Sequence, residues 1–409
     1  MDKKESLLNN ELTIIKEGSE NFYVHKADLE EIPSKSMKVF YNPKMEINRD
    51  VSCLAINAYI NLYDQDDLII VDSMAASGIS SIRMMNECIN VKKIYINDIN
   101  PTSIELIKKN LSLNNLNNNI EVEITQKDAN FLFSTIEQTT CTRINKSHVK
   151  PNVISIDPFG TPNLYIDGAF KAIQKTRGLL CITATDTAVL FGVRPNACIR
   201  KYMAKPLRTE YHKEIGARIL VHFISRIANI NKLGIIPLLT LYSNHFIRVF
   251  ALTFKNKNQI SEMFVNYGYI IHCNLCGDRT ECIAHPLLKS SMCNHQDAHK
   301  HAGPLWLGEL HNEKFIKELI DLNEKSEYTN KKRIDKLLKL ALEEISMPGF
   351  YFNIHKLCQK LKLASVPKIE QIIKSIKEKG YRASRTHFDF LSIKTDMRFR
   401  EFKKLLKRL

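Results

Sequence analysis

The sequence predicts an α/β protein in which a mostly parallel, doubly wound sheet is followed by a smaller α+β domain. Three observations carry that expectation. Leu68 to Asp98 reads as strand, tight turn, helix and strand. Apolar runs at 68, 93, 121, 153 and 179 suit parallel strands, and two more at 235 and 246 are joined too closely for anything but an antiparallel pair. Beyond them, Cys273, Cys276, Cys282 and Cys293 fall within 21 residues.

Each element has a local reason. Thr13–Ile15 and Phe22–Val24 flank Glu17-Gly18-Ser19, which predicts a β-hairpin. Pro43 forces extended backbone, and Asn48 or Asp50 is placed to cap a helix over Val51–Leu62. Leu68–Val71 is wholly apolar, as a strand buried on both faces should be. Asp72-Ser-Met-Ala-Ala-Ser-Gly78 follows, and its small residues let a ligand approach the backbone. Ile79–Cys88 has helical spacing, and Lys93–Ile96 is a strand ending in Asn97-Asp98. Pro101 opens a helix to about Leu113, Glu121–Thr125 alternates as a strand, and residues 134–150 read as polar loop. Val153–Ile156 ends in Asp157-Pro-Phe-Gly160, and Leu179–Thr183 is the next buried run.

The turn and the acid closing the second strand have a chemical meaning. A small-residue turn opening a helix aims N–H groups at a ligand, and an acid about twenty residues on is placed for ribose hydroxyls. A dinucleotide site needs several glycines so that a pyrophosphate can come close. Here Gly78 is alone and Asp72 adds negative charge, which favours a nucleoside without phosphate and with a cationic group, such as S-adenosyl-L-methionine. Ser77 and Gly78 belong to that turn, and Asp128-Ala129 follows the third strand, where it meets an adenine edge or caps a helix.

Asp157-Pro-Phe-Gly160 should land beside Asp98 and the Ser77-Gly78 turn, because the crevice lies outside the carboxyl ends of the strands. A nucleobase amine is a weak nucleophile, its lone pair being delocalised into the ring. A carboxylate and a backbone carbonyl accepting its protons turn that lone pair outward, and an aromatic ring holds the base. Asp157, the Pro158 carbonyl and Phe159 supply those roles.

The formal charge of +15 and pI near 9.2 point to a polyanionic partner. No apolar run approaches the length of a membrane span, and the opening Met-Asp-Lys-Lys-Glu is too polar for a secretory signal. A soluble intracellular protein is expected, in the cytoplasm or, in a eukaryote, the nucleus. No feature marks an obligate protein partner. Cys53, Cys88, Cys141, Cys181, Cys198 and Cys358 are isolated and read as small unpaired residues. The cluster differs. Cys273-Asn-Leu-Cys276-Gly277 has the spacing of a zinc knuckle, with Cys293 as a third ligand and the fourth open among Cys282, His295, His285, His299 and His301.

Taken together, Phe40-Tyr-Asn-Pro-Lys-Met45, Asn48-Arg-Asp50, Asp72 to Ile79, Ser81-Ile-Arg83, Asn97-Asp98, Asp128-Ala129, Asp157 to Gly160, Glu214 to Arg218 and Gly303 to Gly308 resemble the family of tRNA guanine-26 N2-dimethyltransferases. The motifs run in family order over about residues 10 to 400. The resemblance implies a class I, Rossmann-like seven-stranded methyltransferase domain, S-adenosyl-L-methionine as donor, and the N2 amine of guanosine 26 in tRNA as acceptor. Two transfers would give N2,N2-dimethylguanosine. It implies that Arg49, Arg83, Asp98, Asp128 and Ala129 hold the cofactor, that Asp157 is the catalytic acceptor, and that Phe40 and Phe159 hold the base. The family usually has a second Cys-x-x-Cys, and here Gln296 stands where its last thiolate is expected.

The expected organisation is a methyltransferase domain over 1–265 and a zinc-knuckle, tRNA-binding domain over 266–409. The latter should hold amphipathic helices over Ile354–Leu363 and Pro367–Lys379, with Pro367 in a first turn, then strand-like runs over Tyr381–Lys394 and a basic tail, Arg398 to Arg408. Two rival readings are a methyltransferase for base amines of rRNA or DNA, and a non-enzymatic zinc-containing RNA-binding protein.

Overall fold

The computed structural model describes residues 11–30, 37–114, 116, 119–141, 149–283 and 292–409. Strands β1 (Leu12–Glu17) and β2 (Glu20–His25) form the N-terminal hairpin. The central sheet holds β3 (Leu68–Asp72), β4 (Val91–Asn97), β5 (Glu121–Thr125), β6 (Val153–Ile156), β7 (Leu179–Ala184), β8 (Gly234–Ser243) and β9 (Phe246–Phe254). Their order is β5-β4-β3-β6-β7-β9-β8. The first five are parallel, and β9 runs antiparallel to both β7 and β8. The strand order reverses between β3 and β6, so the crevice opens outside the ends of β3, β4 and β6.

Alternate residues of each strand face opposite layers. Val71, Ile154 and Leu180 enter one core, under the helices Ala129–Cys141, Ile166–Ala172 and His212–Ile230. Ile70, Val153 and Leu179 enter the other, under Glu46–Tyr63, Ile79–Glu87 and Pro101–Leu113.

Both cores cross residue 265. Helices Glu313–Lys325 and Lys331–Glu343 bring Phe315, Leu319 and Ile334 into the second core; the first packs on Glu46–Tyr63 and the second on the first. Strands β10 (Tyr267–Cys273) and β12 (His299–Trp306), joined with β11 (Arg279–Cys282) in a second sheet, send Ile270, Leu305 and Trp306 into the first core. The last sixty or so residues have a core of their own. There a three-stranded sheet, β13 (Phe352–Asn353), β14 (Ala383–Arg385) and β15 (Ser392–Thr395), carries the helices Ile354–Lys360, Ile369–Glu378 and Phe399–Leu406.

Three local expectations are corrected. The helix after Pro43 begins at Glu46, so Asn48 and Asp50 lie inside it and cap nothing. Asn42 caps the short 3-10 turn Pro43–Met45 that precedes it, its side chain accepting from the Lys44 N–H at 3.0 Å, and the helix itself starts from Met45. Residues 134–141 are helical, because Phe133 and Ile136 continue the apolar stripe of Leu132 into the core; 142–148 lie outside the described residues. Pro367 precedes the helix Ile369–Glu378, whose N-cap is Lys368.

Candidate active site

The turn after β3 is shaped by backbone demands. Gly78 has φ +79°, and a Cβ there would meet Ile107 Cγ1 at 3.1 Å, so any side chain would be both strained and crowded. Asp98 buttresses the turn from the end of β4. Its Oδ2 accepts from the Ala76 N–H at 2.8 Å and its Oδ1 from the Asn100 N–H at 2.9 Å. Burial pushes the Asp98 carboxyl up from its ordinary value, against those N–H groups. A carboxylate so held still has lone pairs for a hydroxyl donor.

Two adjoining cavities share Phe40, Met74, Ala76, Asp157, Pro158 and Phe159. One, of about 480 Å³, is lined by Asp98 at one side and by Asp128 and Ala129 at the other. Asp128 also caps the helix Ala129–Cys141, its Oδ1 accepting from the Asn130 N–H at 2.9 Å. The second cavity, of about 350 Å³, is lined by Arg49, Asp72, Ser77, Asp157 and His245. Together they form one cleft of ligand size, apolar in the middle and acidic at chosen points.

Asp157, Pro158 and Phe159 border both cavities. Asn48 donates from Nδ2 to Asp157 Oδ2 at 3.0 Å, and Asn48 is itself buried. Phe159 is 46 % exposed and meets Phe40 edge to face, with centroids 5.3 Å apart. Gly160, at φ +112°, turns the chain so that its N–H reaches Thr185 Oγ1 at 2.7 Å. Asp72 is buried and accepts from Ser81 Oγ at 2.6 Å. Burial, reinforced by the neighbouring Asp157, pushes its carboxyl up to about 6, with Ser81 opposing.

The two arginines separate. Arg49 lines the cleft, held by Glu17 through Nε–Oε1 at 2.5 Å and Nη2–Oε2 at 2.6 Å. Arg83 does not line it. Its side chain is fully buried behind the hairpin, paired with Glu17 at 3.0 Å, Asp50 at 2.7 Å and Glu87 at 2.7 Å. Burial opposes the charge on Glu17, yet Arg49 and Arg83 hold its carboxyl below the usual range. Arg83 is thus a brace for the residue that aims Arg49. The family resemblance implies a ligand contact for Arg83; in this structure its pairing with Glu17 of β1 turns it away from the cleft.

Sequence reasoning also missed Glu17, Asn48 as a partner of Asp157, and the rim residues Thr185, Asp186 and His245. Glu17 and Asn48 sit in segments whose local signals are those of a turn and a cap, and no local pattern pairs them with Arg49 and Asp157, 32 and 109 residues away. The rim residues follow only from β7 and the β8–β9 turn reaching the same end of the sheet.

At the knuckle, one donor atom each from Cys273, Cys276, Cys293 and His295 lies within 4.8 Å of the others. The Cys276 N–H points at Cys273 Sγ at 3.5 Å, and His295 Nδ1 stands 3.8 Å from that sulfur. Three thiolates and one imidazole suit tetrahedral zinc. Cys282 pairs across Tyr269, four residues from Cys273 along β10, and His301 pairs across Ile271, so neither joins the group. His299 Nε2 touches Cys293 Sγ at 3.2 Å but is outside it; His285 lies outside the described residues. Cys53, Cys88, Cys181, Cys198 and Cys358 are buried and unpaired, and the side chain of Cys141 lies outside the described residues.

A seven-stranded sheet with acids closing β3, β4 and β6 around one cleft defines a class I methyltransferase fold. The comparisons narrow that class. Residues 18–407 match the model of N2,N2-dimethylguanosine tRNA methyltransferase. The tRNA (guanine(26)-N(2))-dimethyltransferase of Methanosphaera stadtmanae is 36 % identical over 394 residues, covering 96 % of each chain. That of Methanobrevibacter smithii is 36 % identical over 378 residues, 92 % of this chain and 93 % of the relative. The structure of Trm1 from Pyrococcus horikoshii with S-adenosyl-L-methionine is similar at TM-score 0.82 and 31 % identity, covering 97 % of this chain and all of that one. This chain belongs to the N2,N2-dimethylguanosine tRNA methyltransferase family.

Proposed function

We propose that the protein transfers methyl groups from S-adenosyl-L-methionine to the N2 amine of guanosine 26 in tRNA, twice, giving N2,N2-dimethylguanosine. The observation that carries this reading is Asp157-Pro-Phe at the end of β6, where the two cavities meet. S-adenosyl-L-methionine supplies a methyl group on a sulfonium, already electrophilic.

The chain's own residues bind and orient. Asp98 accepts from ribose hydroxyls, while Asp128 and the Ala129 N–H face the adenine. Arg49 pairs with the amino-acid carboxylate, and Asp72 faces the positive end of the ligand. The turn Ser77-Gly78 keeps the backbone close. Phe159 offers its exposed face to the guanine, with Phe40 at its edge. Asp157 and the Pro158 carbonyl accept from the N2 amine, turn its lone pair towards the methyl and stabilise the positive charge that develops on nitrogen. Asn48 keeps Asp157 in place.

Zinc held by Cys273, Cys276, Cys293 and His295 would fix the knuckle as a rigid part of the RNA-binding half, with 1–265 carrying the chemistry. No helix among the described residues is long and apolar enough to cross a membrane. Action on tRNA implies a location inside the cell, in cytoplasm or nucleus. The test is transfer of labelled methyl to unmodified tRNA, followed by digestion and mass analysis. N2,N2-dimethylguanosine at position 26 is expected; label on adenine, or on rRNA or DNA alone, would contradict the reading.

A further inference from the structure

Beyond the catalytic cleft, the surface carries a concentration of positive charge that the chemistry at Asp157 does not use. Asp186 stands at the rim of the cleft, and between it and Glu210 the chain contains no Asp or Glu. Arg194, Arg200, Lys205 and Arg208 of that run are exposed, and none forms an ion pair among the described residues. Phe191, one turn beyond Asp186, packs edge to face on His212, with centroids 5.3 Å apart. His212 lines a groove of about 740 Å³ walled by the knuckle at Cys276 and Gly277 and by Lys356, Lys360 and Lys403 of the C-terminal unit. Among the described residues, Glu210 is the one carboxylate in its wall.

Those cations crowd each other. His212 is pushed below its ordinary value first by burial and further by Lys213, Lys356 and Arg208, with the Thr209 carbonyl opposing. Unpaired like charges converging on a concave surface destabilise the free protein and favour a bound polyanion. The groove is open, and the knuckle tip Leu275, 70 % exposed, borders it.

We infer that the exposed run after Asp186 and the groove between the knuckle and the helix Ile354–Lys360 form one track for the phosphate backbone of the tRNA, leading away from the flipped guanosine. The inference rests on the proposed function and adds where the nucleic acid lies. The knuckle then has a role of its own, since its fold sets one wall of the groove and the C-terminal unit sets the other. RNA is favoured over other polyanions because the track starts at the rim of a cavity built for a nucleobase.

The test uses the full chain and unmodified tRNA transcript. Lys356→Ala with Lys360→Ala in one variant and Arg208→Ala in another are compared with Lys92→Ala, an exposed lysine paired with Asp67 at the opposite ends of the strands. Binding is measured from about 50 to 200 mM salt, beside S-adenosyl-L-methionine affinity by calorimetry. The double variant should bind tRNA about tenfold more weakly or worse, and its salt slope should shrink by about 1.5 to 2, Arg208→Ala by about 1. Cofactor affinity should match the parent, which shows that the fold is intact. Groove variants with the tRNA affinity and slope of Lys92→Ala would overturn the track while leaving the function standing. A parent protein that binds cofactor but no tRNA would overturn both.

Discussion

Asn48 Nδ2 donates to Asp157 Oδ2 across 3.0 Å, joining the first long helix to the end of β6. Asn48 is 2 % exposed, so this bond from the buried side of the cleft wall fixes one oxygen of the carboxylate. In the proposed reaction the other oxygen accepts from the substrate amine. Asn48→Ala should therefore slow methyl transfer by about 10- to 100-fold, the worth of a hydrogen bond to a charged group. S-adenosyl-L-methionine affinity should stay the same. Single-turnover rates and calorimetry check this; an unchanged rate would show that Asp157 needs no brace.

Arg49 and Arg83 should fail in different ways. Arg49→Ala removes a cleft residue and should weaken cofactor binding by about tenfold or more, with a modest change in stability. Arg83→Ala leaves buried Asp50 without its cation and Glu17 with Arg49 alone, and should cost about 3–5 kcal/mol of stability. Chemical denaturation beside calorimetry separates them. Equal stability loss in both variants would put the two arginines in one structural role.

Asp72 supplies a pH dependence whose sign is fixed. Its folded-state carboxyl is raised to about 6, so it is neutral below that value and ionised above it. Ionisation in a buried site penalises the folded state, and that penalty is fully present above about 6 and absent below about 4. A cation beside it relieves the penalty. Affinity for S-adenosyl-L-methionine should rise about tenfold from pH 5 to pH 7.5, and affinity for methylthioadenosine, which lacks the ammonium, much less. Parallel pH profiles for the two ligands would contradict the placement of Asp72 against the positive end.

Zinc content tests the knuckle. The protein should carry about one zinc per chain, and Cys276→Ser should lose it. His295→Ala should weaken retention, while Cys282→Ala should leave it unchanged, because Cys282 lies outside the four-residue group. Metal analysis after dialysis against a chelator decides it. Methylation of tRNA should fall more than cofactor affinity; a metal-free and fully active preparation would contradict the assignment.

The sheet was legible because each strand signals itself locally. Leu68–Val71, Val153–Ile156 and Leu179–Thr183 are apolar throughout, and the short β8–β9 connection allows a single pairing. The ends of those strands then placed Asp72, Asp98 and Asp157 around one crevice. Asn48 and Glu17 escaped because their partners are set by tertiary packing, with no periodicity or spacing to announce them. Arg83 shows the converse: a residue beside the ligand turn is drawn inward when two buried acids, Glu17 and Asp50, and the half-buried Glu87 surround it. The helices Glu313–Lys325 and Lys331–Glu343, and their place in the second core of the catalytic sheet, escaped, because an apolar stripe does not say what it covers.

The most direct test concerns Asp157, on which the chemistry rests. Asp157→Asn keeps the shape and one acceptor oxygen but removes the charge that stabilises the developing positive amine. Loss of such a group acts on the transition state more than on the ground state. Single-turnover transfer of labelled methyl to unmodified tRNA should fall by roughly two to four orders of magnitude. Affinities for S-adenosyl-L-methionine and tRNA, measured beside it, should change little. Near-normal transfer in Asp157→Asn would mean that backbone carbonyls alone orient the amine, and would contradict the central role given to this carboxylate.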